Sequence, residues 1–281
     1  MRAALALATL LLAAPAAAAP PEGAVEDWRL LEPDNMLVVD TTKGRIIVEM
    51  RPELAPKAVE RIKLLARERV YDGLQFHRVI EGFVAQTGNP NNKDGGVSRH
   101  PDLEPEFTFK LIHRSLCMDH ALRCREPSVP VPTVAARRSD GLDGLVGTIP
   151  VSGELRAEDF RGWGAYCTGV AGMGRQADPG SANSEIFFML APERRLDHDY
   201  TVWGRVVIGY DVLEKLARGE PPASPDVMTE VRVGSELREE MRPIVEIETG
   251  PALRRRIDAA RKAKGADFSV CDVTPDARIL G

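Results

Sequence analysis

Apolar residues in this chain recur in short alternating runs, broken at close intervals by Gly, Pro, Asn and Asp. Residues 36–40 and 45–50 flank a Lys43-Gly44 turn and predict a hairpin. Pro56 suits the first turn of a helix, and Val59, Ile62 and Leu65 carry an apolar stripe down to about Arg69. Further strands are predicted near residues 75–79, 83–86, 169–173, 186–190, 201–207 and 228–233. Residues 211–218 read as a second short helix, stopped by Gly219. Many strands, two short helices and almost no strand–helix alternation predict a mainly β fold, closed into an antiparallel barrel.

Two regions fall outside that map. Residues 97–165 are far longer than an ordinary connection of ~4–6 residues. Pro127, Pro130 and Pro132, then Gly141, Gly144 and Gly147, mark this insertion as mostly loop. After Ser235 come one strand pattern at 244–248 and a basic helix from Ala252 to about Lys264. Arg254, Arg255 and Arg256 in that helix read as a solvated face.

The start of the chain bears on where the protein works. Met1-Arg2 is followed by a short apolar run and an alanine-rich stretch ending in Pro20-Pro21. This is the layout of a secretory signal peptide, residues 1–18, cut after Ala18. The apolar run is too short to be read as a membrane span. About 260 residues remain, which suits one elaborated domain. A formal net charge of −5 argues against nonspecific nucleic-acid binding. With an Arg- and Ala-rich, bacterial-type composition, the expectation is a monomeric periplasmic protein.

The chemistry is concentrated in residues 71–90. On a strand read through this segment, Phe76, Arg78 and Ile80 share one face and His77 and Val79 the other. A guanidinium beside Phe and Ile is costly unless it lines a wet groove or meets an anion. Phe76-His77-Arg78-Val79-Ile80, then Phe83, Gln86 and Gly88, closely resembles the signature of the cyclophilin family of peptidyl-prolyl isomerases. A second block follows in the family's order, Ser181-Ala182-Asn183-Ser184-Glu185-Ile186-Phe187-Phe188 with Leu190-Ala191-Pro192. A third is Leu196-Asp197 with Tyr200-Thr201-Val202-Trp203-Gly204-Arg205-Val206. The resemblance covers residues 36–96 and 169–234 and leaves the insertion and tail unmatched. The domain it outlines is 36–234, followed by an extension, 235–281.

The resemblance implies an eight-stranded barrel capped by two helices, with isomerisation of X–Pro bonds in peptides and unfolded proteins as its activity. It implies no cofactor and no metal. Arg78 takes the part of the catalytic donor. Phe83, Val84, Phe187 and Leu196 form the proline pocket, and Gln86 bonds the substrate backbone. Gly174 and Arg175 contact the peptide, while Tyr200 and Trp203 stand where the family has His or Tyr and Phe. Taken singly, Phe83 and Phe187 read equally well as ordinary core.

The departures from the family pattern are specific. Glu185 stands where many members have Gln, so an acceptor-only carboxylate replaces an amide. It is expected to face Arg78 across the groove, either competing with substrate for its donors, the favoured reading, or orienting it. Arg195 replaces an aromatic of cyclosporin-sensitive members, which implies weak inhibition by that drug. Cys117, Cys124, Cys167 and Cys271 are an even number in a chain read as exported, and the preferred pairing is 117–124 with 167–271. His113, Cys117, His120 and Cys124 allow a metal reading, disfavoured because one helix does not easily close four ligands around an ion. His77 reads as structural, and His100 and His198 as surface residues. The alternative function is a proline-peptide-binding module or chaperone of the same fold, with the insertion as its interface.

Overall fold

The run Met36-Leu37-Val38-Val39 carries no polar position, and both of its faces are buried. The computed structural model describes residues 27–93, 95–111, 133–137, 141–156 and 159–280. After a short β1 (Trp28–Leu30), the run opens β2 (Met36–Thr41), which pairs with β3 (Gly44–Met50). Leu37, Val39, Ile46 and Val48 face a core shared with Val59, Ile62 and Leu65 of α1 (Pro56–Arg67). Met36, Val38 and Ile47 face the other way, onto Val245 and Ile247 near the C-terminus. Strands covered on both faces lose the polar alternation of a half-exposed sheet. Pro56 opens α1 as predicted, and Glu106 accepts from the Lys57 and Ala58 amides at 3.0 and 2.9 Å.

Beyond α1 come β4 (Arg78–Ile80) and β5 (Val84–Thr87). The insertion holds β6 (Phe109–Leu111), β7 (Thr133–Arg137), β8 (Gly141–Val146), β9 (Ile149–Arg156) and β10 (Asp159–Gly164). Then follow β11 (Val170–Met173), β12 (Ile186–Met189), β13 (Val202–Ile208), α2 (Tyr210–Glu214) and β14 (Met228–Val233). The chain ends with β15 (Ile244–Glu248), α3 (Gly250–Lys264) and β16 (Ala277–Leu280).

Eight strands form one antiparallel sheet in the order β14-β2-β3-β13-β11-β12-β5-β4. The closed barrel expected from the sequence is corrected here. The sheet is an open half-barrel, because β14 and β4 do not pair with each other. The strand predicted over 75–79 is reduced to a three-residue β4, and Gln75 makes only a single bridge, to Val227. The amide of Val231 in β14 donates to the Asp72 carboxylate at 2.9 Å instead of to a neighbouring strand.

Among its described residues the insertion, read from sequence as mostly loop, holds a five-stranded antiparallel sheet, β6-β10-β9-β8-β7. Gly141 and Gly144 lie inside β8, and Gly147 (φ +60°) makes the two-residue β8–β9 turn with Thr148. Leu145, Val146, Ile149 and Val151 pack into a second core with Val84, Phe187 and Met189 of the main sheet. Leu253 and Ile257 of α3 enter the same core. The strand at 244–248 joins a third sheet, β1-β15-β16. Cys167 and Cys271 form a disulfide across a sequence separation of 104, the pairing read from the sequence. Cys117, Cys124, His113, His120 and the signal-peptide segment lie outside the described residues. Among the described residues no helix is long and apolar enough to cross a membrane, and no group of three or more His, Cys, Asp or Glu is placed to hold a metal.

Candidate active site

β4, β5 and β12 lie side by side, and their register sets Arg78 opposite Gln86 and Gln86 opposite Phe187. Directly opposed residues share one face of a sheet. Guanidinium, amide and aromatic ring therefore form a single row across three strands. The row continues to Gly172 of β11, where any side chain would collide with the Phe187 ring. Phe83, Val84, Gly174, Arg175, Glu185, Leu196 and Tyr200 complete the lining of an open groove of about 390 Å³. Its floor is aromatic: Tyr200 meets Phe187 edge-on at 5.8 Å, and the buried Tyr166 stacks against the same ring at 5.7 Å. Burial pushes the Tyr166 phenol well above its usual pKa, so it stays a neutral packing element.

Polar groups at one side are chained together. Arg78 Nη1 donates to Gln86 Oε1 at 2.9 Å, and Arg78 Nε donates to Glu220 Oε2 at 2.6 Å. Gln86 Nε2 donates to Glu185 Oε1, and Asn89 Nδ2 donates to Glu185 Oε2. Glu185 is buried, with His77 Nε2 at 3.9 Å from its Oε2. Gly174 makes room for this carboxylate, because a Cβ there would overlap it. The Arg78 guanidinium lies 5.8 Å from the Phe83 ring centroid, and that of Arg175 lies 4.4 Å from Tyr200. A fixed cationic donor thus stands beside an apolar, aromatic-floored cleft.

The family model described as cyclophilin type peptidyl-prolyl cis-trans isomerase/CLD matches residues 36–233. The chain belongs to the cyclophilin-type peptidyl-prolyl cis-trans isomerases. It is 32% identical over 219 residues to a probable peptidyl-prolyl cis-trans isomerase of Brucella suis, covering 74% of this chain and 84% of that one. Peptidyl-prolyl cis-trans isomerase ppi1 of Schizosaccharomyces pombe is 27% identical, over 63% of this chain and 82% of its own. In structure, cyclophilin AquaCyp293 from Hirschia baltica superposes with a TM-score of 0.78 at 29% identity. That superposition covers 90% of this chain and 93% of the other, so the likeness reaches beyond the family match.

Of the eleven residues that the cyclophilin resemblance assigned to the site, ten line one groove, and Trp203 does not. Trp203 is fully buried and meets Phe188 edge-on in the inner core. In β13 it points inward, while its neighbour Val202 takes the outer face and packs with the groove's core. Phe76 also departs from its expected face. It packs with Val79 in the inner core while Arg78 turns outward, because regular strand begins only at Arg78. Glu185 reaches Gln86 and Asn89 rather than Arg78, whose carboxylate partner is Glu220. Arg195, 88% exposed, is clamped on Glu193, whose carboxyl its hydrogen bonds lower to about 2. Sequence reasoning missed Tyr166, Asn89 as a partner of Glu185, and Glu220. Tyr166 and Glu220 lie outside the family blocks and carry no periodic signal.

Proposed function

We propose that this protein isomerises X–Pro bonds in peptides and unfolded chains at the groove between Arg78 and Phe187. The row Arg78–Gln86–Phe187 across β4, β5 and β12 is the observation that carries this reading. Rotation about X–Pro faces a barrier of ~18–20 kcal/mol from amide resonance and takes tens of seconds unaided. No bond is made or broken, so the groove needs no nucleophile. It must bind the twisted amide better than either planar isomer. Phe83, Val84, Phe187 and Leu196 hold the prolyl ring against the floor. Gln86 accepts from Arg78 with its oxygen and donates to Glu185 with its nitrogen, so its amide is fixed to contact the peptide backbone. Arg78 donates to the prolyl nitrogen, whose lone pair localises as the bond twists. Each tenfold acceleration needs about 1.4 kcal/mol, within reach of one charged donor and an apolar clamp.

We further place the protein outside the cytoplasm, as a periplasmic monomer acting on exported clients. The charged, apolar and alanine-rich start of the chain supports export, and the Cys167–Cys271 disulfide suits an oxidising compartment. The test is an isomerisation assay on purified protein with Arg78→Ala beside wild type. Activity is expected to fall about 10²-fold or more, the scale for removing one transition-state donor, with circular dichroism unchanged. Equal rates would remove Arg78 from its role. An inactive wild type that still binds proline peptides would make the groove a holding site without catalysis.

A further inference from the structure

The Arg78 guanidinium is anchored from two sides, and one anchor lies outside the groove lining. Gln86 takes Nη1 from within. Glu220 takes Nε from the loop between α2 and β14. That loop is docked on the outer edge of β4: the backbone N–H of Val79 donates to Gly219 O and that of Gly219 to Val79 O, each at 2.9 Å. Gly219 has φ +147°, and a side chain there would strike the backbone of Pro221 and Pro222. The pairing of Gly219 with Val79 therefore sets the next residue, Glu220, beside Arg78. An edge strand normally leaves its backbone groups open; this one is held by a loop that also delivers a carboxylate.

We propose that Glu220 is a positioning residue for isomerisation, orienting the Arg78 guanidinium so that its Nη2 end is presented to the substrate. The proposal rests on the isomerase reading above. Nε and Nη1 are both engaged, and among the described residues Nη2 has no hydrogen bond to protein. An arginine held at one nitrogen still swings about that contact. Held at Nε and Nη1 from two different segments, its plane and its direction are both fixed. The side chains of Arg78 and Glu220 are 31% and 54% exposed, and a pair so exposed adds little to stability. Its effect lies in the geometry of a donor that matters most as the prolyl lone pair develops.

A double-mutant cycle on the full-length protein, read by exchange spectroscopy on a proline peptide, separates kcat from KM. Glu220→Ala is expected to lower kcat about tenfold with KM unchanged. Glu220→Gln, which keeps an acceptor for Nε, is expected to recover part of that loss. In an Arg78→Ala background, Glu220→Ala is expected to add nothing. The Nε–H resonance of Arg78 supplies a readout independent of turnover, with slow solvent exchange in wild type and fast exchange in Glu220→Ala. A folded Glu220→Ala protein as fast as wild type overturns the positioning role alone. So does an additive loss in the Arg78→Ala background, or equal Nε–H exchange in both proteins. A wild type without activity overturns the isomerase reading, and this proposal with it.

Discussion

Glu185 has two carboxylate oxygens and meets two amide donors, Gln86 Nε2 and Asn89 Nδ2. A glutamine in its place has one acceptor oxygen and would turn its own NH₂ toward one of those donors. The expectation from sequence was a carboxylate competing for Arg78, which predicts a faster Glu185→Gln variant. The observed contacts reverse that sign. Glu185→Gln is expected to loosen Gln86, slow isomerisation several-fold and lower stability by about 1.5–3 kcal/mol, the range of a charge-assisted hydrogen bond. Rates and urea midpoints of the two proteins at neutral pH check this, and a faster variant of unchanged stability would restore the competition reading. The identities of the groove residues were legible because they stand in blocks with fixed spacing. Their partners were not. Asn89 and Glu220 come from loops, and nothing in local spacing says which way a loop side chain turns.

At the scale of elements, legibility follows where backbone regularity holds. β2, β3, α1, β11, β12, β13 and β14 lie close to their predicted places, since each strand is a short apolar-rich run bounded by turn residues and α1 carries an apolar stripe at helical spacing. Around β4 the period fails, which put Phe76 on the wrong face, and Trp203 was assigned by family position although its strand points it inward. In the insertion, glycines inside β8 were read as loop, a reading that only pairing with β9 corrects. One element-level link bears on the groove. Cys167 follows Tyr166, which stacks on Phe187, so the bond to Cys271 ties the C-terminal extension to the groove floor. Replacing both cysteines by alanine is expected to reduce unfolding free energy by about 2–5 kcal/mol and to weaken proline-peptide binding. Urea denaturation and peptide titration read the two effects, and an unchanged unfolding midpoint would count against the link.

Across the whole molecule, three sheets meet at Glu49 in β3. It accepts from Arg29 of β1 at 2.5 Å, from Arg51 at 3.0 Å, and from Thr148 N and Oγ1 in the β8–β9 turn at 3.0 and 2.6 Å. Opposite it in β13, Arg205 donates to Thr148 O, Thr168 O and Thr274 Oγ1, and burial brings its pKa down to about 10. Burial pushes the Glu49 carboxyl upward, yet the charges of Arg29 and Arg51 and the Thr148 hydrogen bond outweigh it and leave it below its usual pKa. A depressed folded-state pKa means stability that is present above the unfolded carboxylate's pKa and lost as pH falls through the folded value. Glu49→Gln is therefore expected to be less stable than wild type at pH 7 by about 3–5 kcal/mol, the scale for breaking a buried pair. That gap should narrow as the solution is acidified. Unfolding curves across the acid range measure it, and a gap that stays constant or widens would refute the assignment.

The covering of β2 and β3 by the β1-β15-β16 sheet has a consequence for where this protein can be cut. The stretch matched by the family model, residues 36–233, leaves out all three strands of that cover. Excised alone, it would offer Met36, Val38 and Ile47 to water as one contiguous apolar strip on the outer face of β2 and β3. Such a fragment is expected to precipitate or to bind the dye ANS and the full chain to do neither; a soluble, dye-silent fragment would show the cover to be dispensable. The stretch matched by the family model is thus expected to be smaller than the unit that folds.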